Sequence, residues 1–201
     1  MNRALFTCLF SIGALAACVA SADPPATQPS TIGTPIEAAL AWQDRFENST
    51  ADQVLSEYAA DTDEQRSIAR VMANASVGAT HLVKLARERW GADGEKVVAL
   101  ECLTDTRADD AAAHFSIDGD HAMLTYDNQQ LGKFYIVRRQ GVWKIDVAAY
   151  QKEYGPDMSE TVKFLQQSVQ VYKSAANDLT AGKYSSAAEL VADLDRQFKN
   201  L

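Results

Sequence analysis

The chain has 201 residues, 47% of them hydrophobic and 23% charged, with 27 acidic against 19 basic side chains and a formal net charge of −8 at pH 7. That balance argues against nucleic acid, whose binding draws on clustered lysine and arginine, and against electrostatic docking on anionic lipid. Of the three cysteines, Cys8 and Cys18 fall within residues 1–22, which leaves Cys102 unpartnered and argues against an intramolecular disulfide framework.

Residues 1–22 read as an export signal. Arg3 supplies a short positive stretch, and Ala4 to Ala17 form an apolar run too short to span a bilayer comfortably. Two processing sites compete. Ala20-Ser21-Ala22 before Asp23 has the small-x-small form of ordinary signal cleavage, whereas Leu15-Ala16-Ala17-Cys18 resembles the bacterial lipobox, in which the cysteine is lipidated and becomes the first mature residue. Either route takes the protein out of the cytoplasm, to the periplasm or to a membrane-anchored lipoprotein held only through Cys18. Residues 23–34, DPPATQPSTIGT, then form an extended tether, and residues 35–201 are the right length for a single domain.

Thr34-Pro35-Ile36-Glu37 is a helix start with a capping-box pattern and proline where its missing N–H costs nothing. Ile36, Ala39, Leu40, Gln43 and Phe46 follow at helical spacing, with Trp42 alongside. Thr50 to Gln53 repeats the capping pattern and predicts a short second helix burying Val54, Leu55 and Tyr58. A third helix starts after Asp61 or Thr62 and runs towards Trp90, where Gly91 stops it, and Gly78 marks a point where it can break. Residues 95–104, EKVVALECLT, fit a helix or a strand, with a short helix preferred. Within them Cys102 reads as a reactive thiol or, more simply, as a small buried hydrophobe.

Asp118 to Tyr150 carries the clearest alternation. Strands are expected over 111–117, 121–127, 132–139 and 142–149, as an antiparallel meander. A two-residue loop at Gln140-Gly141 pairs Arg139 with Val142, Arg138 with Trp143, Ile136 with Ile145 and Phe134 with Val147. That register puts Phe134, Ile136, Trp143, Ile145 and Val147 on one face, with Arg138 at its rim, whereas a one-residue slip mixes the faces. Asp118-Gly119 as the other loop pairs Ile117 with Asp120, Ser116 with His121, Phe115 with Ala122 and His114 with Met123. After the sheet, Asp157 with Glu160 caps a long helix carrying Val162, Leu165, Val169 and Tyr172. A last helix from Ser185 or Ser186 presents Leu190, Leu194 and Phe198 on one face and Asp193, Asp195, Arg196 and Lys199 on the other.

The expected class is therefore α+β: N-terminal helices on a curved antiparallel four-stranded meander, followed by a C-terminal helical hairpin. WQDRFENSTADQVLSEYAAD, 42–61, resembles the opening helices of the nuclear transport factor 2-like (cystatin-like, SnoaL-like) cone fold, and KFYIVRRQGVWKIDVAAY, 133–150, resembles its closing strands. The resemblance implies a pocket between the concave sheet and the helices. Two departures stand out. Family members usually end near the final strand, whereas 157–201 adds a hairpin placed to plug or cover the cone's mouth, and no acid/base pair of the family's isomerases and dehydratases matches here.

Such a pocket is walled by the apolar strand face, Leu124, Tyr126, Phe134, Ile136, Trp143 and Ile145, with Tyr58 adding a polar tip; the simpler reading is a filled core. For catalysis the best group is His114, His121, Tyr135 and Asp146, because a histidine beside a carboxylate is the minimal acid/base pair near neutral pH. Pairing sends that group to the polar face, where solvent exposure is expected. His81, His114 and His121 lack metal-ligand spacing, the acids at 109–110 and 118–120 lack the calcium-loop pattern, and no cofactor motif or short catalytic motif occurs. The sequence favours a non-catalytic exported domain binding a small apolar ligand or an envelope protein. The rivals are a SnoaL-like isomerase or hydrolase and a structural envelope protein docking through its C-terminal hairpin.

Overall fold

A computed structural model of the chain describes residues 33–94, Val97, and residues 113–126, 133–156 and 158–201. Residues 1–32, Cys18 among them, Cys102 and Asp157 lie outside the described residues, and of the 95–104 stretch only Val97 is described, helical and buried. The elements are helices α1 (Pro35–Asn48), α2 (Ala51–Val54) and, after a single 3-10 turn, strand β1 (Tyr58–Ala59), then helix α3 (Asp63–Trp90). Strands β2 (Ala113–Asp118), β3 (His121–Tyr126), β4 (Lys133–Arg139) and β5 (Val142–Asp146) follow, and helices α4 (Val147–Tyr154), α5 (Ser159–Thr180) and α6 (Ala187–Lys199) end the chain.

The α+β class holds, but the sheet is mixed and five-stranded, in the order β1-β5-β4-β3-β2. The four-stranded meander misses β1, which pairs parallel with β5 through Tyr58 and Ile145. The helix predicted to bury Tyr58 ends after one turn, and a two-residue strand is too short to declare itself by alternation. At the other end β5 stops at Asp146, not at 149, so Val147 never pairs with Phe134. Asp146 accepts a hydrogen bond from the Ala149 N–H at 3.1 Å and starts α4, an N-cap read as strand interior because its neighbours alternate.

The β4–β5 register is the expected one, Ile136 to Ile145 and Arg138 to Trp143. Gln140 and Gly141 both have positive φ, 52° and 80°, the requirement of a type I′ turn. The β2–β3 turn departs from expectation: Asp118 pairs with His121, Ile117 with Ala122 and His114 with Thr125. Only Gly119 of its two loop residues has positive φ, 58°, which suits the first loop position of a type II′ turn and leaves Asp118 in the strand. Because both strands shift by one residue, the faces survive unchanged.

On the apolar face α1 docks through Trp42, 6.0 Å from the Phe134 ring, and Phe46, 6.4 Å from Tyr58. Helix α3 opens on a Thr62–Gln65 capping box, runs unbroken through Gly78 and ends at Gly91. At Gly78 it lies against α5: a Cβ at that position would lie 3.6 Å from the Tyr172 Cβ. The C-terminal hairpin thus lies against α3, and α6 closes on α5 through Phe198, 5.4 Å from Tyr172. Arg89 clamps the α5–α6 turn by donating to the carbonyls of Leu179, at 2.8 Å, and Tyr184, at 3.3 Å.

Candidate functional site

The apolar wall is filled. Tyr58, Leu124, Phe134, Ile136, Trp143 and Ile145 are each no more than 5% exposed and pack in one cluster with Trp42, Phe46, Met72 and Leu82. The side chain of Tyr126 lies outside the described set. Burial pushes the Tyr58 phenol far above its ordinary range, with the Ser76 hydroxyl beside it acting in the opposite direction. Beside this core Glu57 is buried, its carboxylate accepting from the Trp42 indole N–H at 2.8 Å and paired with Arg45.

The opposite face is built differently from expectation. His121 opens β3 directly after the Gly119-Asp120 turn, and Asp146 closes β5, with Val137 and Tyr135 of β4 between them. Asp146 Oδ2 lies 3.4 Å from His121 Nδ1, while Oδ1 holds the α4 N-terminus. Expected in solvent, Asp146 is only 4% exposed, because β1 flanks it on one side and α4 folds over it on the other. Tyr150 of α4 sets its ring edge-on to Tyr135, at a centroid distance of 5.2 Å and an angle of 89°. His121 does keep an exposed side chain, at 66%.

A cleft of about 130 Å³ opens here, lined among others by Ser116, Asp118, His121, Met123, Tyr135, Asp146 and Ala149. Three of the four candidate polar residues therefore meet. The fourth, His114, sits in β2 opposite Thr125, four residues beyond the Asp118–His121 pair, and its side chain lies outside the described set. Sequence reasoning missed Asp118, Ser116 and Ala149 as lining residues; the Asp146-to-Ala149 capping pattern was the signal that points to the last.

The arrangement holds an imidazole beside a carboxylate that a helix N-terminus fixes in place, which suits hydrogen bonding to a small polar molecule or transfer of a proton. Among the described residues no group of three or more His, Cys, Asp or Glu side chains is placed to hold a metal, and no helix is long and apolar enough to cross a membrane. Every exposed residue from Ser159 to Asn200 is polar, charged, alanine or glycine, while Val162, Phe164, Val169, Val191 and Phe198 are half-buried.

Fold and site together define an α+β domain with a small cleft of mixed polar and apolar lining on the sheet face opposite its main core. No family model matches the chain, and no curated protein and no solved structure matches it either.

Proposed function

We propose that this is an exported envelope domain on the nuclear transport factor 2-like plan, acting by binding and not by turnover, and that it recognises its ligand on the His121–Asp146 face. One observation carries the reading: the apolar wall is packed with core side chains, whereas the opposite face keeps an open cleft of about 130 Å³. A ligand there is small and polar, taking hydrogen bonds from His121 and Ser116 and apolar contact from Met123. The acidic balance of the chain and the proline-rich composition of residues 23–34 support an exported role. Titrating labelled protein with small polar fragments while recording ¹H–¹⁵N spectra tests this. Shifts confined to 116–123, 135–137 and 146–149 are expected, and shifts around Phe134, Trp143 and Ile145 without them would sink it.

A second reading is an acid/base enzyme of the SnoaL type, favoured by the 3.4 Å approach of His121 Nδ1 to Asp146 Oδ2. It requires turnover of an activated ester or an enolisable ketone that is lost in both His121→Ala and Asp146→Asn.

A further inference from the structure

Strand β2 is the outer strand of the sheet, and among the described residues no strand pairs with its free edge. It also carries Ile117, the one large hydrophobic side chain among the described residues that is exposed, at 57%. An open edge with an exposed branched apolar residue is a template for another strand, and this one lacks the lysine or proline with which such edges are usually blunted.

The hairpin geometry says which backbone groups are available. A two-residue loop is closed by a pair that exchanges both hydrogen bonds, here Asp118 with His121. Asp118 and Ser116 therefore spend their N–H and C=O groups on β3, and residues 115 and 117 present theirs outward. Antiparallel pairing of two identical strands about Ser116 satisfies those groups without remainder. Residue 115 meets residue 117 of the second copy as a hydrogen-bonded pair, twice by symmetry, and Ser116 faces its own equivalent across the two-fold axis. The same register is chemically complementary. It sets apolar Ile117 across from Phe115 of the second copy, and acidic Asp118 across from His114.

We propose that β2 pairs with β2 of a second copy of this chain, joining two five-stranded sheets into one continuous sheet about a two-fold axis at Ser116. Because Ser116 and Asp118 also line the cleft, each copy's β2 stands at the border of its own cleft. The pairing stands on edge geometry alone and does not depend on what the cleft binds.

Three variants separate this pairing from other causes of association. Ile117→Pro removes an N–H that points to the open edge and leaves the β2–β3 ladder intact, and proline is tolerated on an edge strand. In sedimentation velocity the unmodified protein is expected as a dimer, and Ile117→Pro as a species whose dissociation constant is at least about tenfold higher, because two hydrogen bonds are lost by symmetry. Ser116→Cys, made with the native cysteines replaced by serine, is expected to form a disulfide dimer on mild oxidation. The Cα separation of a non-hydrogen-bonded pair, about 4.5 Å, suits a disulfide. Ile117→Cys, offset from its equivalent by two residues, should cross-link far less. A protein that stays monomeric at every concentration overturns the proposal. So does a dimer that Ser116→Cys fails to lock, whatever the folding of Ile117→Pro.

Discussion

Asp146 serves His121 and the start of a helix with one carboxylate: Oδ2 lies 3.4 Å from His121 Nδ1 and Oδ1 accepts from the Ala149 N–H at 3.1 Å. The two halves of this relationship are separable by mutation. Asp146→Ala removes the cap of α4 and should cost about 1 kcal/mol, within the usual range of about 0.5–2 for a lost N-cap. His121→Ala takes away an exposed side chain and should stay within about 0.5 kcal/mol. Urea midpoints of the two variants at pH 7 measure the difference, and equal losses would mean that the imidazole contributes to stability as much as the cap does.

The buried Glu57 joins α1 to the turn before β1 through the Trp42 indole and Arg45. Glu57→Ala leaves the indole N–H buried without an acceptor, so the expected loss is about 1–3 kcal/mol. Glu57→Gln keeps an acceptor for the indole and should recover part of it. Chemical denaturation of both variants checks the order.

Gly78 sits where α3 meets α5, and its missing Cβ would be in ordinary contact, 3.6 Å from the Tyr172 Cβ. Alanine therefore fits and gains helix propensity, so Gly78→Ala should stabilise by up to about 1 kcal/mol. Gly78→Leu must displace the Tyr172 side chain and should destabilise by about 1–3 kcal/mol. A thermal melt that ranks alanine below glycine would show the contact to be tighter than this.

Asp193 gives the C-terminal hairpin a defined acid response. Burial works to raise its carboxyl, but hydrogen bonds from Arg196, Tyr184 and Gln197 outweigh that and hold it below the ordinary value. An unfolded aspartate titrates near about 3.9. The stabilisation from Asp193 is therefore complete above that pH and fades as pH falls through the lower folded value. Melting temperatures compared between pH 7 and pH 3 should fall further for the natural protein than for Asp193→Asn.

Legibility in the sequence followed the length of each pattern. Helices α1, α3 and α6 carry capping side chains at Thr34, Thr62 and Ser186 and amphipathic stripes several turns long, and their starts were readable within a residue or two. The β4–β5 register was readable because a one-residue slip would have put Lys144 against the apolar row. The β2–β3 register was not, since shifting both strands by one residue leaves the faces alike. Asp118 separates the two pairings: a type I′ loop at 118–119 would put it at positive φ, and it does not have one.

The α+β class and the division of the sheet into an apolar and a polar face were legible in the order of residues, and so was the placing of His121, Tyr135 and Asp146 on the polar one. Their meeting place was decided by tertiary structure. Val147–Tyr154 has no period that distinguishes a strand's end from a short helix, and its folding over the polar face follows from the Asp146 cap and from Tyr150 finding Tyr135. Two residues of β1, brought to β5 from far along the chain, bury the carboxylate from the other side. Alternation along one strand reports which side chains share a face, but which face is then covered depends on elements whose contacts are remote in sequence.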